Sequence, residues 1–80
     1  METFEDTENG VPREAYLTGN DVYMIYSFED VAFHWSCRTG EVLRKFKGDA
    51  HQGRVENSNR LYMDARMSGR LATSDEYEQY

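Results

Sequence analysis

Eighty residues with a single cysteine exclude an internal disulfide and hold the chain to one small core, about 60–65% of the unfolded surface being buried at this size. The net charge of −6 and the mixture of 39% hydrophobic with 30% charged residues describe a soluble acidic protein. No apolar run approaches the ~20 residues of a membrane-spanning helix.

The charge is unevenly spread. Glu2, Glu5, Asp6 and Glu8 lie in residues 1–10 without a single base, and Asp75, Glu76 and Glu78 lie in the last ten residues. Between them, residues 31–70 hold Arg38, Arg44, Lys45, Lys47, Arg54, Arg60, Arg66 and Arg70 against Glu41, Asp49, Glu56 and Asp64. Residues 1–10 lack apolar periodicity and are expected to form a mobile acidic N-terminus, with residues 11–80 a single α+β domain. The acidic start is unlike a basic signal peptide, and with the lone cysteine it points to the cytoplasm.

In chain order, Pro12 early and Gly19-Asn20 late predict a short helix over Pro12–Leu17, with a strand over Ala15–Thr18 as the rival reading. Residues 21–47 read as a three-stranded antiparallel meander. In Asp21–Phe28, rich in β-branched and aromatic residues, Val22, Met24, Tyr26 and Phe28 share one face and Tyr23, Ile25 and Ser27 the other. Glu29-Asp30 serves as a turn. In Val31–Cys37 the alternation of Val31, Phe33, Trp35 and Cys37 with Ala32, His34 and Ser36 assigns the first set to the core. Arg38-Thr39-Gly40 suits a hairpin loop with glycine at positive φ. In Glu41–Lys47, the three basic side chains Arg44, Lys45 and Lys47 mark a protected edge strand. The stretch Trp35-Ser36-Cys37-Arg38-Thr39-Gly40-Glu41-Val42-Leu43-Arg44-Lys45-Phe46-Lys47-Gly48 resembles the last hairpin of a WD40 blade. It departs from that family at Ser36, and no internal repeat accompanies it.

Gly48–Gly53 is a loop. Asn57–Ala72 reads as the principal helix, capped by Asn57 or Ser58, with Leu61, Ala65, Ser68, Gly69 and Ala72 clustered toward the sheet. Arg66 and Arg70, four apart, face away beside Met63 and Met67. Thr73 to Glu76 resembles a new N-cap and first turn, anchored by Tyr77 and Tyr80. The expected architecture is therefore a meander packed by one main helix, with a short N-terminal helix.

No nucleophile with an activating base, no phosphate-cradling glycine loop and no ligand spacing for a metal occurs, so neither a catalytic residue nor a cofactor is assigned. His34 and His51 read as a strand-surface and a loop histidine, and Cys37 as a small hydrophobe. Six Tyr, one Trp and four Met in so short a chain are types enriched at interfaces, which points to protein binding through a monomer.

Small size, acidity and the absence of chemistry resemble, at the level of class, the phage-encoded anti-CRISPR inhibitors of bacterial defence. That resemblance implies stoichiometric binding to a host protein or ribonucleoprotein such as a CRISPR surveillance complex. An acidic surface would mimic nucleic acid there, without binding duplex DNA or membrane. Glu29, Asp30, Asp75, Glu76 and Glu78 are the candidate contacts, with Asp21 and the N-terminal acids beside them. Tyr23 and the Arg66/Arg70 pair are the alternatives. The second reading is a basic face of Arg44, Lys45, Lys47, Arg66 and Arg70 that binds nucleic acid or an acidic partner.

Overall fold

The computed structural model describes residues 10–80. The expected mobile segment thus lies outside the described residues except for Gly10, whose N–H donates to the Gly69 carbonyl at 2.7 Å. Five antiparallel strands form one sheet: β1 (Val22–Tyr26), β2 (Val31–Trp35), β3 (Val42–Phe46), β4 (Gly53–Val55) and β5 (Arg70–Ala72), in the order β4-β3-β2-β1-β5. Helix α1 (Arg60–Ser68) covers one face and the short helix α2 (Ser74–Gln79) the other.

The α+β class is as read from the sequence, but the three-stranded meander is only the centre of a wider sheet. Strand β4 pairs with β3 through Val42–Val55 and Arg44–Gly53, and β5 pairs with β1 through Tyr23–Ala72 and Ile25–Arg70. The basic strand β3 is therefore interior. Its bases do not guard an edge; they serve the face they point to. The stretch that looks like a WD40 hairpin holds the last residue of β2, a tight connection and β3. Gly40 adopts φ 77° there, as a hairpin glycine does, and its N–H donates to Ser36 O at 2.7 Å.

Alternation along the strands produces two cores. Val22, Met24, Val31, Phe33 and Val42 point toward Tyr62 and Ala65 of α1, with Val11, Ala15, Tyr16 and Trp35 packed around them. Trp35 and Cys37, assigned to the core by alternation, are half-buried at the sheet end. Ile25 and Ala32 point the other way and are closed by Tyr77 of α2, with Tyr23, Ala72 and Tyr80 alongside.

The first strand ends sooner than its composition predicts. Ser27–Glu29 is a 3-10 turn and Asp30 takes the left-handed conformation at φ 53°, so Phe28 leaves the strand and stands 80% exposed. The N-terminal helix expected over Pro12–Leu17 is a 3-10 turn over Arg13–Leu17 with Pro12 at its cap, and the rival strand is not formed. Helix α1 is shorter than predicted. Asn59, not Asn57 or Ser58, caps it, accepting from Tyr62 N at 3.1 Å. It stops at Gly69, where the backbone turns extended (φ −82°, ψ −167°) and passes so close to its own last turn and β1 that only glycine fits. A Cβ on Gly69 would stand 2.6 Å from Ala65 O and 2.9 Å from Ile25 O. Arg70, Leu71 and Ala72, expected to be helical, consequently form β5.

Candidate interaction surface

The termination at Gly69 separates Arg66 from Arg70, which the sequence had placed on one helical face. Arg66 stays on α1, its guanidinium carbon 5.2 Å from the Tyr16 ring centroid and 5.7 Å from that of Tyr62. Beneath it the two phenols share a hydrogen bond of 2.8 Å. Burial, then the bond to Tyr62, raises the Tyr16 phenol well above its usual range. Arg70 lies on β5 and pairs with Glu76 at 3.3 Å.

Around Arg66 the exposed side of α1 meets the start of the described chain. Val11 N donates to Arg66 O at 2.8 Å. This staple brings the N-terminal 3-10 turn against the helix and leaves a concavity of about 270 Å³ lined by Val11, Arg13, Tyr16, Met63, Arg66 and Met67. Met63 is 47% and Met67 75% exposed. The helical spacing of Met63, Arg66 and Met67 was visible in the sequence. The contribution of Val11, Arg13 and Tyr16 was not, because no local pattern links them to α1. A larger concavity, about 430 Å³, lies at the β4 end of the sheet beside Glu41, Arg54 and Glu56, but its charges are mixed and Arg54 already pairs with Glu41 at 2.8 Å.

The candidate carboxylates fall into two classes. Glu29, Asp30, Asp75 and Glu78 are exposed. Glu76 and Asp21 have structural work. Glu76 accepts from Thr73 N at 2.9 Å while Thr73 Oγ1 accepts from Glu76 N, a capping box for α2. The bond from Thr73, followed by that from Arg70, holds its carboxyl below the usual range. Asp21 faces His34 Nε2 at 2.8 Å and accepts from Cys37 N at 3.0 Å, which lowers its carboxyl in that order of importance. His34 is thus a partnered side chain, stacked on Tyr23 with ring centroids 4.4 Å apart. Among the described residues no group of three or more His, Cys, Asp or Glu side chains is arranged to hold a metal.

Tyr23 and Ile25 sit beneath α2 rather than on an open sheet face. Of the three bases in Glu41–Lys47, Lys45 is not at the surface, whereas Lys47 is exposed and Arg44 half-buried. Lys45 is 6% exposed and its Nζ donates to Tyr77 O at 3.0 Å and Glu78 O at 2.8 Å, neutralising the carbonyl end of α2. Lys47 Nζ lies 5.6 Å from the Tyr80 ring centroid, and Arg44 stands 4.9 Å from that of Phe46. Tyr77, pushed up to about 12 chiefly by burial, donates its hydroxyl to Gln52 at 2.7 Å. Among the described residues no helix is long and apolar enough to cross a membrane.

Comparison with known proteins gives this geometry a family context. Residues 9–80 match the family described as Tis1 immunity protein. The immune protein Tis1 of Pseudomonas aeruginosa (strain UCBPP-PA14) is 44% identical over 59 residues, covering 72% of this chain and 77% of that protein. A chain in the crystal structure of the complex between the type VI effector Tas1 and its immunity protein superposes with a TM-score of 0.75 at 36% identity. The match covers 95% of this chain and 92% of that one. These matches overturn the anti-CRISPR resemblance and, with it, the phage origin, the nucleic-acid mimicry and the CRISPR complex as partner. Size, acidity and missing catalytic residues are shared by many small inhibitors, so they could not separate one class from another.

Proposed function

We propose that this chain, which belongs to the Tis1 immunity protein family, binds a type VI effector stoichiometrically and neutralises it without catalysing a reaction. The observation that carries the reading is the likeness over 95% of the chain to a protein chain from a Tas1–immunity protein complex. Residues 11–80 act in this reading as one rigid domain, one monomer per effector, in the cytoplasm. Exposed Glu29, Asp30, Asp75 and Glu78 supply a field that steers a partner with basic patches and speeds encounter rather than fixing the complex. The test is co-expression with the Tas1-like effector from the same genome. Growth should be restored by this chain, and the purified pair should elute as a 1:1 complex. Loss of growth despite abundant folded protein, with no complex on the column, would end the proposal.

A further inference from the structure

Resting on that reading, we infer that the concavity between α1 and the N-terminal 3-10 turn is the effector-binding site, and that it takes an acidic segment of the effector carrying one apolar anchor side chain. Charge decides the occupant. The chain carries −6 overall, yet the lining of this groove contains Arg13 and Arg66 and no carboxylate. An acidic segment is repelled by the exposed Glu29, Asp30, Asp75 and Glu78 and attracted here. The volume decides the anchor. About 270 Å³ falls below the ~300–1,000 Å³ of small-molecule pockets but accommodates a single large side chain.

The walls suit that task. Met63 and Met67 are unbranched and polarizable, so they mould to an apolar side chain and shed water when covered. Arg66 is already positioned by Tyr16 and Tyr62, so a carboxylate gains a planar, forked donor with little further ordering. The Tyr16–Tyr62 hydrogen bond and the Val11–Arg66 backbone bond hold the floor and one wall in place before binding. Aromatic, Arg and Met side chains are the types enriched at interfaces, and Tyr and Arg are among those that dominate binding energy.

The test measures the affinity of the same-genome Tas1-like effector for this protein and its variants by titration calorimetry. Met67→Glu and Arg66→Glu should each weaken binding by about tenfold or more. Arg54→Glu, at the concavity beside β4, should leave it within about twofold. Amide spectra and melting curves verify that each variant is folded, and Arg66→Lys should recover part of the loss because the charge remains while the fork is gone. Wild-type protein that binds the effector while both groove variants bind equally well overturns this inference and leaves the immunity reading intact. Wild-type protein that fails to bind ends both. A dimer of this chain that Met67→Glu dissociates, or nucleic acid captured through Arg66, would give the groove a different occupant and overturn the inference as well.

Discussion

The two faces of the sheet are closed by different means. Under α1, Phe33, Met24, Val22, Val31 and Val42 are packed by Tyr62 and Ala65, and the helix is held mainly by apolar burial. Under α2 the apolar contribution is smaller: Ile25, Ala32 and Tyr77, with flanking aromatics. A six-residue helix is far too short to persist alone. Polar devices make up the difference. Thr73 and Glu76 cap its start, Arg70 reaches Glu76, and Lys45 and the N–H of Gly48 satisfy carbonyls at its end. One face is thus tolerant of surface charge changes and intolerant of lost volume; the other has the reverse sensitivities.

The sharpest break of that contrast is at Phe33. Phe33→Ala empties a fully buried site and should cost about 3–5 kcal/mol in urea unfolding, lowering the stability of the whole chain. Lys45→Met keeps the stem and removes two hydrogen bonds from a charged donor, for an expected loss of about 1.5–3 kcal/mol. Hydrogen exchange should quicken first in residues 74–80 and only later in β2; simultaneous loss of both would mean the faces are not separable. Thr73→Ala should cost about 1 kcal/mol and show the same local pattern.

The smallest expected effect is a pH dependence confined to the α2 face. The carboxyl of Glu76 titrates lower in the folded chain than the ordinary glutamate value of ~4.3. Its contribution is therefore complete above that value and is lost as pH falls through the lower folded-state pKa. Exchange protection in α2, taken relative to the intrinsic amide rate at each pH, should fall on acidification at the bottom of the carboxylate range. Glu76→Gln should flatten the profile, and an unchanged profile would assign the acid sensitivity to Asp21, whose carboxyl is also held low.

Much of the centre of the fold was legible locally. Composition located β1, alternation β2 and the run after the Gly40 loop β3, each to within a few residues; Pro12 marked the start of a helical segment that is a 3-10 turn, and Thr73 a cap. The outer strands were not legible. Gly-Arg-Val and Arg-Leu-Ala are three-residue segments whose extended state comes from pairing with a neighbour, not from propensity. Ala72 even fits the helical period of α1, and the chain leaves that helix at Gly69, whose extended backbone lies too near Ile25 for a Cβ. Lys45 was misread for a related reason. A base on a strand signals solvent until a helix terminus is brought above it. The groove was half visible: Met63, Arg66 and Met67 by spacing, Arg13 and Tyr16 only once the chain had folded.

The interior placement of β1, between β2 and the edge strand β5, has a consequence for the order of assembly. Strands β1 to β4 are joined in sequence by short connections, whereas β5 reaches β1 from nearly fifty residues away. Loop closure makes that last pairing the slow one. Until it happens, Val22-Tyr23-Met24-Ile25-Tyr26 is an uncharged, β-prone margin with open backbone groups, a template for pairing with another chain. The brief C-terminal strand is therefore a seal as well as a support. Chains that lose residues 70–80 should self-associate through β1 before they lose the rest of the sheet.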